Sequence, residues 1–313
     1  MVQVNVQRIL VTGATGFVGQ RVCSQLESLG AVVVKTSRAP SSEPNTFQVQ
    51  ALGPHTEWRE ALQGCTSVVH LAARVHVMNE NAVDPLFEFR QANTVGTLQL
   101  ARQAVQCGVK RMVFISSIKV NGEAGEFTAS SIPNPIDPYG ISKYVAEQQL
   151  LEFSQQSGLE VVVLRPPLVY GPGVKANFLK LLGAVARGIP LPLGAVHNKR
   201  SLVFVGNLAS AISTCLEHPR AAGRVYMVSD NADVSTAQLI QEMAQALGRN
   251  ANLLGISPWL IESLAALLGK RAAAQRLLGD LTVSPQALCE ELDWKPPFSI
   301  QAGMKETADW YMQ

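Results

Sequence analysis

Through the first half of the chain, short aliphatic runs alternate with amphipathic stretches. "RILVTG" and "AVVVKT" read as strands, with a helix over 17–29 between them that closes at Gly30. "SVVHLAA", "RMVFISS" and "EVVVLRP" read as further strands, separated by helical stretches over 84–108 and 141–158. These strands are apolar at nearly every position rather than at every second one. That pattern marks a parallel sheet covered by helices on both faces. The predicted class is α/β, a Rossmann-like doubly wound parallel sheet.

After Tyr170 the rhythm breaks into loop-rich and helical segments, with "GRVYMVS" as one more buried strand. The expected organisation is a dinucleotide-binding domain over 1–169, to which the chain returns at about 197–229. A smaller substrate-binding domain is expected over 170–196 and 230–313. The most apolar late stretch, "PWLIESLAALLG", is interrupted by Glu262 and Ser263 and falls short of the ~20 residues a membrane span needs. It reads as a buried helix.

Composition narrows the classes. The 313 residues are 47% hydrophobic and 16% charged, with net charge +2, which suits an apolar α/β enzyme. Lys and Arg are scattered, so neither nucleic acid nor a membrane is expected as partner. Cys23, Cys65, Cys107, Cys215 and Cys289 are widely spaced without a CxxC pair. Structural thiols in a reducing compartment are the plain reading, with no metal site. "RILVTG" follows the first residues so closely that no signal peptide is expected, and the location expected is cytoplasmic.

Three features carry chemistry. "VTGATGFVG" sets Gly13, Gly16 and Gly19 after a strand and at the opening of a helix, where a tight turn brings helix N–H groups up to a pyrophosphate. "DPYGISK" places Tyr139 and Lys143 at i, i+4 near a helix start, with Asp137 and Pro138 suited to the cap and first turn. An ammonium beside a phenol favours the phenolate and would lower a tyrosine pKa of about 10. Ser117 ends the strand "RMVFISS", where a hydroxyl is placed to bind a substrate oxygen.

The cofactor choice turns on "VVVKTSR". A carboxylate at the end of this strand would hold both ribose hydroxyls and repel a 2′-phosphate; Thr36, Ser37 and Arg38 stand there instead. Neutral hydroxyls and a guanidinium favour NADP(H). NAD(H) is also accommodated if Arg38 only stacks on the adenine.

"TGATGFVG", "HLAA", "NTVGT", "FISSIKVNG", "YGISK" and "LRPPLVYGPG" together resemble the extended short-chain dehydrogenase/reductases, the NAD-dependent epimerase/dehydratase family, in its nucleotide-sugar 4-epimerase/4-ketoreductase subgroup. The resemblance implies that Tyr139 is the acid/base at the sugar oxygen, that Ser117 binds the same oxygen, and that Lys143 holds the nicotinamide ribose. It extends the cofactor set to Thr15, Phe17 and Val18 in the glycine loop, to Leu52, and to Leu71, Ala72 and Ala73 at the "HLAA" strand end. Asn177, Arg200 and Arg276 match groups that contact the diphosphate, and guanidinium forks suit phosphate oxygens. The family also implies a homodimer through a four-helix contact.

Departures narrow the reaction. Family dehydratases carry Asp-Glu after the catalytic hydroxyl, where Ile118 and Lys119 stand here, so elimination is disfavoured. Lys119 is a cation at the mouth of the site, a candidate contact for a sugar substituent or phosphate, or a solvated side chain. Asn121, Leu168 and Ala51 replace residues common in the family, and Arg74 or His76 is a candidate edge of the sugar pocket. The expected reaction is NAD(P)H-dependent reduction of a UDP-4-keto-sugar, with UDP-4-keto-6-deoxy-N-acetylglucosamine to UDP-N-acetylquinovosamine as the leading case, in polysaccharide biosynthesis. The alternatives are a UDP-glucose or UDP-N-acetylglucosamine 4-epimerase with bound NAD and, in another class, a non-catalytic dinucleotide sensor.

Overall fold

In the computed structural model, residues 7–75, 83–269 and 271–313 are described. The strands are β1 (Arg8–Thr12), β2 (Val32–Ser37), β3 (Thr46–Gln48), β4 (Ser67–His70), β5 (Arg111–Ile115), β6 (Gly125–Phe127), β7 (Glu160–Arg165), β8 (Leu168–Tyr170), β9 (Arg200–Phe204), β10 (Val225–Met227), β11 (Asp233–Val234) and β12 (Leu281–Val283). The helices are α1 (Phe17–Ser28), α2 (Arg59–Leu62), α3 (Pro85–Arg90), α4 (Gly96–Gln106), α5 (Pro138–Ser157), α6 (Ala176–Ala186), α7 (Val205–Glu217), α8 (Thr236–Ala246), α9 (Pro258–Leu267), α10 (Arg271–Leu278), α11 (Gln286–Leu292) and α12 (Ile300–Met312).

Seven strands form one parallel sheet in the order β10-β7-β5-β4-β1-β2-β3. Leu10, Val68, Val69, Met112, Val113, Val161, Val162 and Val163 are inaccessible to solvent, as strands covered on both faces require. The chain leaves the sheet in opposite directions from β1 and β4. This is the topological switch point, where doubly wound sheets bind ligands at the carboxyl ends of their strands. A second sheet of short strands runs β11-β9-β12-β6, and β8 pairs β9 outside that path. Of the stretch 197–229, β10 joins the large sheet while β9 lies in the second one.

Between α3 and α4 the chain passes through a π-helical turn, Gln91–Val95. Such turns re-aim side chains within a helix, and here the turn holds Asn93. One expectation fails: "PWLIESLAALLG" does form a helix, α9, but none of its residues is buried. It packs beside α10, and Ile261 is partly buried against the core cluster that includes Phe178, Leu239 and Met243. Among the described residues no helix is long and apolar enough to cross a membrane.

Candidate active site

The glycine loop turns directly out of β1 into α1. Gly13 has φ +68°, and a Cβ there would lie 2.9 Å from the Ala72 amide nitrogen, so the loop and the end of β4 are in backbone contact. At Gly19 a Cβ would stand 2.1 Å from the Gly13 carbonyl oxygen, closer than any side chain tolerates. Gly16 caps α1 with no side-chain hydrogen bond, which leaves the first-turn N–H groups to an anion. These are the features a pyrophosphate cradle needs, and a dinucleotide fits the residues present. Thr15 is exposed in the loop, and Phe17 and Val18 pack down onto the core. Thr12 accepts the Ala72 N–H at 3.2 Å and so fixes the Leu71–Ala72–Ala73 segment beside the loop. Leu52 reaches the same side because Gly96 lets α4 approach the 52–53 backbone; a Cβ there would lie 2.9 Å from the Gly53 nitrogen.

At the end of β2, Thr36 is buried, leaving Ser37 and the exposed Arg38 as the side chains on offer. The Ser37 hydroxyl accepts the Ala39 N–H at 3.2 Å.

The candidate reacting groups lie after β5 and at the start of α5. Asp137 caps α5 by accepting the Gly140 N–H at 2.6 Å, and Pro138 occupies the first turn, as the sequence predicts. Tyr139 therefore sits at the helix start, edge-on to Phe89 with ring centroids 6.1 Å apart. Ser117 lies beside the Tyr139 phenol and favours its ionised form, while the Ser117 hydroxyl accepts the Lys119 N–H at 3.2 Å. One turn along, Lys143 is buried; its Nζ donates to the Ile115 carbonyl at 2.7 Å and lies 4.3 Å from the Phe114 ring centroid. Burial pushes the Lys143 ammonium down from 10.5 to about 7, opposed by the Glu147 carboxylate.

The expected lowering of the Tyr139 pKa is not found. Burial, then the Asp137 carboxylate, drive it up to about 12, against the opposing effect of Ser117. The physical reason is that Lys143 directs its charge to the Ile115 carbonyl while Asp137 caps the turn that carries Tyr139. Tyr139 is a neutral phenol here, held as an acid.

Lys119 is turned inward: its ammonium pairs with Asp137 and, at 3.2 Å, with Glu123. Ile118 is buried against Met227, Leu281 and Val283. The two positions that carry an acid pair in family dehydratases thus hold an apolar side chain and an ion-paired cation. Asn177 is exposed on the first turn of α6. Arg200, half-buried, donates to the Gly279 carbonyl at 3.3 Å, and burial lowers its pKa. Arg276 is on α10, the helix that ends beside that carbonyl, but its side chain lies outside the described ones, as does His76.

A polar chain behind the site is not visible in the motifs. Thr12 Oγ1 meets His70 Nδ1 at 2.7 Å, His70 Nε2 meets Thr97 Oγ1 at 2.9 Å, and Thr97 donates to the Asn93 carbonyl at 2.7 Å. Asn93 then donates to Ser142 Oγ at 3.0 Å and to the Arg74 carbonyl at 2.9 Å. His70, with both ring nitrogens engaged, is pushed down to about 3 by burial and by Lys143. Beneath it, buried Glu147 binds Arg165 at 2.5 Å, and Arg165 also donates to Asn121 Oδ1 at 3.1 Å. This pair ties α5 to the loop after Ser117. Asn121, which the sequence marks only as a departure, has a structural partner.

The fold and site define a dinucleotide-dependent α/β oxidoreductase scaffold, and comparison with known proteins places it. The family model described as NAD dependent epimerase/dehydratase family matches residues 9–229, and the chain belongs to that family. It is 44% identical to a UDP-glucose 4-epimerase of Vibrio cholerae, covering 97% of this chain and 95% of that one. An N-acetyl-alpha-D-glucosaminyl-diphospho-ditrans,octacis-undecaprenol 4-epimerase of Escherichia coli O157:H7 is 29% identical over 77% of this chain and 72% of its own. The structure of a UDP-N-acetylglucosamine 4-epimerase from Bacillus cereus superposes with a TM-score of 0.78 at 19% identity, covering 96% of this chain and 95% of that one, a likeness of fold.

Proposed function

We propose that this chain is a UDP-sugar 4-epimerase that works with bound NAD. The observation carrying the proposal is Ser117 beside the Tyr139 phenol, one helical turn from a buried ammonium and next to a glycine loop built for a dinucleotide. Likeness along almost the whole chain to a UDP-glucose 4-epimerase favours epimerisation over one-way reduction. The cofactor's nicotinamide, when bound, supplies the two-electron redox change at C4 of the sugar.

The chain's own residues handle the proton. Ser117 hydrogen-bonds the C4 oxygen and Tyr139 exchanges a proton with it, as the acid and base of the two half-reactions. Lys143 holds the ribose, and its positive charge favours the phenolate when it turns from Ile115 toward the tyrosine. Gly13, Thr15, Gly16, Phe17, Val18, Gly19, Leu52, Leu71, Ala72 and Ala73 form the cofactor seat. Asn177, Arg200 and Arg276, from the segments 170–196 and 230–313 and the strand β9, are the groups assigned to the diphosphate. A homodimer in the cytoplasm completes the reading.

A second reading rests on one observation. The end of β2 offers Ser37 and Arg38 without a carboxylate, which suits NADP(H) and a 4-ketoreductase forming UDP-N-acetylquinovosamine. One experiment separates the two. Purified protein is given UDP-galactose with no added nucleotide, and separately UDP-4-keto-6-deoxy-N-acetylglucosamine with NADPH. Formation of UDP-glucose in the first tube supports the epimerase. Stoichiometric NADPH oxidation in the second, with none of the first, replaces it by the reductase.

A further inference from the structure

Ser117 stands at the head of a single 3-10 turn, Ile118–Val120, whose far end is Asn121. The turn's own bonds are few: the Val120 N–H donates to the Ser117 carbonyl at 3.1 Å, and the Asn121 N–H to the Ile118 carbonyl at 2.8 Å. Hydrogen-bond geometry inside so short a turn is poor, so contacts from outside set where it sits. The Ser117 hydroxyl accepts the Lys119 N–H and therefore moves with the turn.

Asn121 supplies the buried contact. It is 3% exposed, and both ends of its amide are engaged. Nδ2 donates to the Ser131 carbonyl at 3.2 Å, and Oδ1 accepts Arg165 Nη1 at 3.1 Å. Arg165, the last residue of β7, donates from Nε to both carboxylate oxygens of Glu147, at 3.1 and 3.2 Å. Arg165 and Glu147 are 5% and 0% exposed, so water does not compete for these bonds. A planar guanidinium that holds a carboxylate and an amide oxygen together fixes their relative orientation.

Glu147 closes the circuit. It follows Lys143 by four residues and Tyr139 by eight, on the same face of α5. Three buried side chains thus connect the turn that carries Ser117 to the helix that carries Tyr139. The two elements also touch directly: a Cβ at Gly140 would lie 2.7 Å from the Lys119 carbonyl oxygen. That backbone contact limits how far the turn can approach the helix. The bonds through Asn121, Arg165 and Glu147 limit how far it can withdraw.

We propose that Asn121 is a positioning residue for the reaction: through Arg165 and Glu147 it holds the Ser117 hydroxyl in register with the Tyr139 phenol. The inference rests on the proposed role of Ser117 at the C4 oxygen of the sugar. A reacting group displaced by about 1 Å costs on the order of a hundredfold in rate, so a loose turn would forfeit much of what Ser117 contributes.

The test is a double-mutant cycle on kcat with Ser117→Ala and Asn121→Leu, the second keeping the branched shape and removing both polar ends. Turnover is followed as UDP-galactose conversion without added nucleotide, or as NADPH oxidation with UDP-4-keto-6-deoxy-N-acetylglucosamine if that is the reaction catalysed. Asn121→Leu should lower kcat about tenfold to a hundredfold, with KM, circular dichroism and the nucleotide released on denaturation unchanged. In the Ser117→Ala background the same substitution should change kcat by less than about twofold, because the hydroxyl it places is already gone. Where Asn121→Leu is unfolded at the assay temperature, Asn121→Ala takes its place in the cycle. An equal loss in both backgrounds overturns the proposal, since the residue then acts on the fold at large. A folded Asn121 variant with native kcat overturns it too. Native protein with neither activity, or Ser117→Ala with native kcat, removes the reading of the site itself and the proposal with it.

Discussion

Replacing Lys143 by methionine should abolish activity and yet change stability in a direction set by pH. The side chain is buried, and its ammonium is pushed from 10.5 to about 7, chiefly by burial. At about 1.36 kcal/mol per pKa unit, the charged form costs the fold about 5 kcal/mol. The folded pKa is depressed below the unfolded one, so this cost is fully present below pH 7. It is relieved as the pH rises from about 7 toward 10.5, where the folded state has released a proton that the unfolded chain still holds. Methionine removes the cost, but it also removes the hydrogen bond to Ile115 and leaves that carbonyl without its ammonium donor, a loss of about 1–3 kcal/mol. Lys143→Met should therefore be more stable than the native chain at pH 6 by about 2 kcal/mol and lose that advantage in alkali. From linkage, the difference between the two proteins should move by about 3 kcal/mol between pH 6 and pH 9.5. Urea unfolding of both cofactor-free proteins at a series of pH values measures it, because all other titrations are common to the pair and cancel. A stability difference that is flat with pH would refute the reasoning and show that the ammonium is not held at an energetic cost.

Other substitutions test other parts of the site. Gly19→Ala should destabilise the protein by about 1–3 kcal/mol or more and strip the dinucleotide, since its Cβ would lie 2.1 Å from the Gly13 oxygen; thermal melting and nucleotide release on denaturation report both. Asp137→Asn keeps the helix cap but removes a carboxylate that raises the Tyr139 pKa, so the acid limb of the kcat–pH profile should move to lower pH. Arg165→Met should cost about 3–5 kcal/mol by leaving buried Glu147 unpaired, read as a lowered denaturation midpoint.

The parts of this molecule that were legible in the sequence are those where one residue type satisfies one local requirement. Continuous aliphatic runs can be buried on both faces only in a parallel sheet, so β1, β2, β4, β5 and β7 were readable, whereas the short edge strand β3, Thr46–Gln48, carries no such run. The glycine spacing and the Asp137–Pro138 helix start state their geometry directly, and the structure carries both. The short strands β6, β8, β9, β11 and β12 are two to five residues long, and pairing rather than pattern makes them strands. The Thr12–His70–Thr97–Asn93–Ser142 chain was hidden because its members are spread over 130 positions and meet only through the fold. The exposure of α9 was misread because apolar composition was equated with burial, and hydropathy alone does not say which face a helix presents. The sign of the Tyr139 shift was missed for a related reason: the i, i+4 spacing places Lys143 near the tyrosine but does not say which acceptor its ammonium faces.

The central claim is that one set of residues serves both halves of a C4 epimerisation on a retained cofactor. It is tested most directly with UDP-glucose carrying deuterium at C4, incubated with the purified protein and no added nucleotide, and followed by NMR of the sugar. The account predicts UDP-galactose that keeps the deuterium at C4, with conversion lost in Tyr139→Phe. UDP-galactose with the label lost to solvent, or conversion that persists in Tyr139→Phe, would contradict it.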